Sequence, residues 1–146
     1  MAGSRVKIKL EGFDELLKKI ESSGGTIKSA VDTCMKKSAK IMEDSLKTEM
    51  KKANVPSDLI NRMDAPKVKW EYNACTASVG YEKGTYNPDN LSDGYKVVFL
   101  NYGTPHRSVH GKVKARGFIG RSKKKAKSQI KKSQEETLQD ILKELQ

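Results

Sequence analysis

The sequence is organised around the stretch from Tyr95 to Ile119, which reads YKVVFLNYGTPHRSVHGKVKARGFI. It begins with the apolar run Val97–Leu100, which predicts a strand in the centre of a sheet. The backbone then breaks at Gly103 and crosses a basic segment that contains both histidines of the chain. Phe118 and Ile119 form a second apolar point just before a lysine-rich helix. This pattern favours a loop held at both ends, and we expect a role in assembly rather than in catalysis.

The positive charge of the chain is concentrated in one region. The formal net charge is +11, from 29 basic and 18 acidic residues. Residues 94–134 contain 12 basic residues and no acidic residue, so the remainder is nearly neutral. Such a region attracts phosphates or an acidic protein surface. The alternative is that the lysines only keep a helix solvated, in line with a general excess of 24 lysines over 5 arginines.

Length and composition favour a single domain over residues 1–146. No apolar run approaches the roughly 20 residues that a membrane-spanning helix needs. The start, Met1–Arg5, lacks the apolar region of a secretory signal, so a cytoplasmic protein is expected by default. Cys34 and Cys75 lie far apart in sequence and are expected to be reduced structural residues.

The first half of the chain predicts one strand and several helices. The alternation of Val6–Leu10 predicts a half-buried strand, and Phe13–Ile20 predicts a short amphipathic helix. Thr26–Ala53 predicts a long helix, a rod of about 40 Å that exceeds what a domain of this size needs for its own core. Part of this rod is therefore expected to pack on a partner subunit. Ser57 is expected to cap a short helical turn.

The second half predicts the rest of the sheet and a last helix. Val68–Tyr72 and Cys75–Tyr81 alternate and predict an antiparallel hairpin, which the strand Tyr95–Asn101 joins. Ser122 is expected to cap a helix over Lys123–Leu145, whose lysine-rich start is exposed. Segments 82–94 and 104–115 are expected to be flexible loops. The fold class is thus α+β, an antiparallel sheet of about four strands with the long helix and the C-terminal helix packed on it.

The sequence offers no clear catalytic, cofactor-binding or metal-binding residues. His106 and His110 have no carboxylate within about ten residues on either side, and a nucleophile needs a base within hydrogen-bond reach. Pro105 and Gly111 argue against a helix that would align the two histidines as metal ligands. The glycines fit neither of the common phosphate-binding spacings. We therefore expect no enzyme activity, no cofactor and no metal.

Three short segments, in this order, match a known family. They are Gly12-Phe13-Asp14-Glu15-Leu16, Tyr102-Gly103-Thr104 after the apolar run, and Ala115-Arg116-Gly117-Phe118-Ile119 before the last helix. Over nearly the whole chain, the sequence resembles the neck proteins of long-tailed bacteriophages. This family includes head–tail joining, tail completion and tail terminator proteins.

The chain departs from the family pattern at three places. Asn101 stands where the family usually has an acidic residue, and Gly117 stands where it usually has proline. A Thr-Gly-x-Leu motif expected after the long helix is reduced to Ser57-Asp58-Leu59. These departures concern individual interface contacts rather than the fold.

The resemblance implies a ring of identical subunits, with sixfold symmetry expected, at the head–tail junction or at the end of the tail. The partners would be neighbouring neck or connector proteins and tail tube proteins, without a membrane. The particle would be a phage, a prophage product or a phage-tail-like bacteriocin, assembled in the bacterial cytoplasm and located in the virion.

The residues expected to form the interface all lie in the opening stretch. We expect the turn that orients the loop to consist of Asn101, Tyr102, Gly103 and Thr104. The electrostatic contacts of the loop would come from Arg107, Lys112, Lys114 and Arg116, and its anchor would be Phe118. Gly103 is expected to adopt a backbone conformation that other residues disfavour, so valine there should impair folding or ring formation.

Two other functions stay open at this point. One is a nucleic-acid-binding module that uses the basic region 94–134. The other is a small basic enzyme such as a ribonuclease toxin, although residues 94–134 provide no acidic residue for the chemistry.

Overall fold

In a computed structural model, which describes residues 4–72, 74–82, 87, 89–104 and 113–146, the chain forms a three-stranded antiparallel sheet and five helices. In chain order the elements are β1 (Val6–Ile8), α1 (Asp14–Ser22), α2 (Ile27–Lys52), α3 (Ser57–Asn61), β2 (Asp64–Glu71), β3 (Ala74–Gly80), α4 (Asp93–Tyr102) and α5 (Phe118–Leu145). The predicted α+β class is confirmed. None of the described helices combines the length and hydropathy needed to cross a membrane.

Strand β3 lies in the middle of the sheet and pairs antiparallel with β1 and β2. Val6 lies opposite Val79, and Trp70 lies opposite Cys75. Val79 and Ala77 point to the same face of β3, because alternate side chains of a strand share a face. Both are fully buried. The predicted first strand and the predicted hairpin are therefore confirmed.

Helix α2 is the central element, with the sheet on one side and α5 packed along another. Met35, Met42 and Leu46 are buried in the main apolar core, which also contains the inward-facing residues of the sheet. The predicted helix Thr26–Ala53 is confirmed, because both residues flank the observed helix as its caps. Its buried side chains run from Ala30 to Met50, so the helix packs against other elements of its own chain along most of its length.

The predicted strand over Tyr95–Asn101 is wrong, because this segment is part of helix α4. The Ser92 side chain caps the helix by accepting a hydrogen bond from the Tyr95 backbone N–H. Four consecutive apolar residues fit a central strand equally well. The buried positions of α4, however, have helical spacing: Gly94, Val97, Val98 and Asn101. This exchange of a strand for a helix leaves three strands among the described residues instead of about four.

The start of the last helix also differs from the prediction. Helix α5 begins at Phe118, and Ser122 is a buried residue inside it whose hydroxyl donates to the Ile119 carbonyl at 2.8 Å. The residue before the helix, Gly117, has left-handed backbone angles (φ 61°, ψ 24°). Ser57 is likewise the first residue of α3 rather than its cap, which is Pro56.

A buried carboxylate joins α2 to α5. Glu49 on α2 is 2% exposed. It accepts hydrogen bonds from Lys125 and from Arg121 Nε, the latter at 3.4 Å, and Lys52 Nζ lies 3.7 Å away. The hydrogen bond from Lys125 holds the pKa of Glu49 below its usual value, although burial alone would raise it. The charged carboxylate therefore links two long helices through their cations.

Replacing Glu49 with glutamine should lower the melting temperature at neutral pH by a few degrees, since an amide cannot balance these cations. The pKa of Glu49 is lower in the folded than in the unfolded chain. Its stabilising contribution is thus complete above the unfolded pKa and is lost as the pH falls through the folded pKa. The difference in melting temperature between the wild type and Glu49→Gln should therefore shrink in acid.

Thermal unfolding followed by circular dichroism across a pH series checks this. The matched control is Glu135→Gln, an exposed residue of α5 that should leave the melting temperature nearly unchanged. A difference for Glu49→Gln that stays constant from neutral to acidic pH would contradict the account.

Candidate functional site: the junction of α4 and α5

The end of α4 and the start of α5 are joined by hydrogen bonds, and we call residues 99–104 with 113–119 the junction. The Arg116 N–H donates to the Leu100 carbonyl and the Gly117 N–H to the Asn101 carbonyl, both at 3.0 Å. The Ile119 N–H donates to Asn101 Oδ1 at 2.8 Å. The last carbonyls of α4, which have no partner within the helix, are thus satisfied by N–H groups just before α5. An N–H group in the first turn of α5, which also lacks a partner within its helix, is satisfied by the Asn101 side chain.

Gly103 ends α4 with φ 80° and ψ 175°, a conformation that is essentially restricted to glycine. Its N–H donates to the Phe99 carbonyl at 2.8 Å. A Cβ atom at this position would lie 2.9 Å from the Val113 carbonyl oxygen and 3.0 Å from the Ala115 nitrogen. The expectation that Gly103 needs a conformation disfavoured by other residues is confirmed.

Thr104 and Val113 hold the two ends of segment 105–112 together. The Thr104 N–H donates to the Val113 carbonyl at 2.9 Å, and the Val113 N–H donates to Thr104 Oγ1 at 2.8 Å. Arg107 and Lys112, which we expected to make electrostatic contacts, lie outside the described residues, as do both histidines. The base of this segment is thus fixed by a reciprocal pair of hydrogen bonds.

Arg116 points inward, toward the end of α2. Its Nη1 donates to the carbonyls of Ala53 and Asn54, both at 3.2 Å. A cation here satisfies carbonyls that the helix leaves without partners and complements the negative end of the helix dipole. Arg116 therefore links the junction to the central helix. The sequence predicted a contact between Arg116 and a partner but not this link within the chain.

The remaining predicted residues divide into one buried and two exposed side chains. Phe118 is fully buried and belongs to the main core, so it anchors the junction within its own chain. Tyr102 is 48% exposed, and Lys114 is also exposed. These two side chains are available to a partner at the described part of the junction.

The chemical groups of the described junction suit binding. Residues 99–104 and 113–119 carry amide, hydroxyl, aromatic and cationic groups but no carboxylate, thiol or imidazole. Within the part of the chain that the structure describes, no group of three or more His, Cys, Asp or Glu residues is placed to hold a metal ion. Elsewhere, Cys34 and Cys75 are free, and burial raises the pKa of the Cys34 thiol to about 11. That thiol is therefore protonated at neutral pH and is a poor nucleophile.

One feature near α5 was not predicted from the sequence. Lys7 in β1 and Lys9 just after it line one side of a groove. Three lysines of α5 line the other side of the same groove. The period of two in β1 and the spacing of four residues in α5 were both readable in the sequence. The sequence did not reveal that these two elements are neighbours in space.

Comparison of this chain with protein-family models, with curated proteins and with solved structures gave no match.

Gly103→Ala should destabilise the protein by about 1–3 kcal/mol, because it forces a side chain into a glycine-only backbone conformation and against Val113. Urea denaturation measures the loss. Gly120→Ala is the matched control: a Cβ atom there would meet no atom within 4 Å, and alanine inside a helix should stabilise by about 0.5–1 kcal/mol. Equal effects of the two substitutions would contradict the role of Gly103.

Asn101→Ala should cost about 0.5–2 kcal/mol, because the Ile119 N–H then loses the acceptor that caps α5. Asn101→Asp keeps a side-chain oxygen in the same place and adds negative charge at a helix N-terminus, so it should remain closer to the wild type than alanine does. The free energy of unfolding in urea compares the three proteins. An aspartate variant as unstable as the alanine variant would rule out capping as the role of Asn101.

Proposed function

We propose that this protein is a structural subunit of a phage, a prophage product or a phage-tail-like particle. Its copies close into a ring, sixfold by analogy with the neck proteins that the sequence resembles, at the head–tail junction or the tail end. Its other partners are the neighbouring neck or connector proteins and the tail tube proteins. The support from sequence is the ordered set of short motifs, which spans nearly the whole chain.

The observation that carries this proposal is the fixed base of segment 105–112. Thr104 and Val113 bond each other, and Gly103 holds the chain in one backbone conformation beside them. Asn101 and Arg116 connect this base to α5 and to α2. A contact segment carried on a preorganised base loses less conformational freedom when it binds, which favours association.

The junction also suits the geometry of a ring. Subunits of a ring make head-to-tail contacts between two different surfaces, and rotation closes the series. Tyr102 and Lys114 provide an exposed aromatic group and an exposed cation at the junction. Tyrosine is enriched at protein interfaces, because it combines apolar area with a hydroxyl group.

Nucleic-acid binding is the second candidate, and the exposed lysines of α5 favour it. Lys123, Lys124, Lys127 and Lys131 are all exposed. Binding to phosphates weakens steeply with salt, by roughly one logarithmic unit of slope for each phosphate contacted. Association of subunits into a ring through the junction should depend much less on salt and should need no nucleic acid.

Sedimentation velocity of the nuclease-treated protein over a range of concentrations should reveal one discrete oligomer that persists at high salt. Tyr102→Asn should raise the protein concentration at which this oligomer dissociates by about fivefold or more, since a central interface tyrosine is worth more than about 1 kcal/mol. Tyr72→Asn is the matched control, because Tyr72 is fully exposed at the hairpin between β2 and β3 and lies outside the junction.

Two results would contradict the proposal. One is an oligomer that forms only with added nucleic acid and dissociates at moderate salt, which would support the second candidate. The other is an equal loss for Tyr72→Asn and Tyr102→Asn, which would place the contact away from the junction.

A further inference from the structure

A groove of about 460 Å³ lies between β1 and the first half of α5. Its apolar lining consists of Val6 and Ile8 from β1, Met42 from α2 and Ile130 from α5. Val6, Ile8 and Met42 belong to the main core, and Ile130 is half-buried at its edge. The groove therefore reaches the apolar core from outside.

Both walls of the groove carry lysines. Lys123, Lys127 and Lys131 recur every fourth residue on α5, which places them about 6 Å apart along the helix. Lys7 and Lys9 lie on the opposite wall, and Glu11 is the only acidic residue in the described part of the lining. None of these five lysines makes a salt bridge with a described carboxylate. Lys7 nevertheless lies near enough to Glu71 to help lower the pKa of that carboxylate, after the larger effect of Lys69, so the lysines of α5 are the more available cations.

The cations on the other side of α5 have a different environment. Arg121 and Lys125 also lie four residues apart, but both pair with the buried Glu49. The positive charge of α5 is therefore partly neutralised on the Glu49 side and remains open on the groove side. An occupant of the groove that carries negative charge would supply the missing partners.

The wall formed by β1 also has a free backbone edge among the described strands. The sheet order β1-β3-β2 places β1 at an edge, where it pairs only with β3. From α5, Gln134 Nε2 donates to the Lys9 carbonyl at 3.4 Å, so a polar group already reaches the chain just beyond β1. An unpaired strand edge is a template for an extended segment of another chain.

We propose that this groove binds an extended acidic segment of a partner protein, one in which Asp or Glu residues alternate with Val, Ile or Leu. The carboxylates pair with lysines on the two walls, and the aliphatic side chains cover Ile130 and its apolar neighbours. Alternation suits an extended chain, whose successive side chains point to opposite sides. This inference stands on the chemistry of the groove and does not depend on ring formation.

A nucleic acid fits the groove less well than an acidic peptide. Among the residues that the structure describes, the lining contains neither an aromatic side chain, on which a base would stack, nor an arginine, which binds phosphate with two parallel hydrogen bonds. An aliphatic floor gives no advantage to a phosphate backbone. It does stabilise a peptide that buries aliphatic side chains, by about 25 cal/mol for each Å² of apolar surface removed from water.

Fluorescence anisotropy with labelled probes tests this proposal. The first probe is the peptide Glu-Val-Asp-Ile-Glu-Leu-Asp, the second has serine at the three aliphatic positions, and the third is single-stranded oligodeoxythymidine. The wild-type protein should bind the first probe at least about tenfold more tightly than the second, a difference of about 1.4 kcal/mol. Binding of the first probe should weaken as salt is added.

Charge reversal locates the binding. The double variant Lys127→Glu with Lys131→Glu should weaken binding of the first probe by about tenfold or more. The reason is that two attractive pairs between the α5 wall and the peptide carboxylates become repulsive. The control double variant Lys18→Glu with Lys37→Glu changes the net charge equally at exposed positions of α1 and α2 outside the groove, and should change binding by less than about twofold. Circular dichroism verifies that both variants are folded.

Four outcomes would overturn the proposal. The first is that the first probe does not bind, and the second is that the aliphatic and serine peptides bind equally. The third is an equal loss of binding in both double variants. The fourth is that oligodeoxythymidine binds more tightly than the first probe and that Lys127→Glu with Lys131→Glu abolishes this binding. The last would assign the groove to nucleic acid. None of these outcomes bears on whether the chain forms a ring, which sedimentation velocity measures separately.

Discussion

Helix α2 is buried between the sheet and α5, and this packing sets the positions of the elements around it. Met42 and Leu46 face the main core, while Cys34 packs in a second cluster with Ile20 and Leu138. Burying a large aliphatic side chain of this kind stabilises the fold by about 1.5–3 kcal/mol. Because α5 is fixed along α2, its first turn is placed at the junction and its next turns are placed beside β1. The junction and the groove beside β1 therefore both follow from this one packing arrangement.

The position of α5 also organises the charge of the protein. The net charge of +11 comes from one region of the sequence, but that region does not form one uniform surface. Arg116 bonds the end of α2, and Arg121 and Lys125 bond Glu49, so these cations contribute to the fold. The lysines beside β1 have no such partners in the described structure and are the ones available for binding. The number of basic residues in this region is therefore larger than the number of cations available to a partner.

The elements with a clear period were predictable from the sequence, and those without one were not. Val6 and Ile8 alternate with lysines, and the apolar face of α2 recurs with helical spacing over 26 residues, so both assignments are confirmed. Val97–Leu100 has no period, and what makes it helical is the cap at Ser92 together with the burial of Gly94 and Asn101. A run of four apolar residues contains none of that information.

The candidate site could be predicted in part. The left-handed backbone of Gly103 follows from local rules, because a break after an apolar run commonly needs glycine. The inward orientation of Arg116 and the capping role of Asn101 depend on partners that lie 63 and 18 residues away in sequence. Such contacts are set by tertiary packing, and for the same reason the prediction that Ser122 caps α5 is wrong.

Single-particle imaging of the purified protein separates a ring subunit from other kinds of assembly. If the proposal of a ring is correct, the images should contain closed rings with one fixed number of copies, in which the junction, with Tyr102 and Lys114, lies against the neighbouring copy. Open or irregular assemblies, or closed rings in which the junction faces solvent, would contradict it.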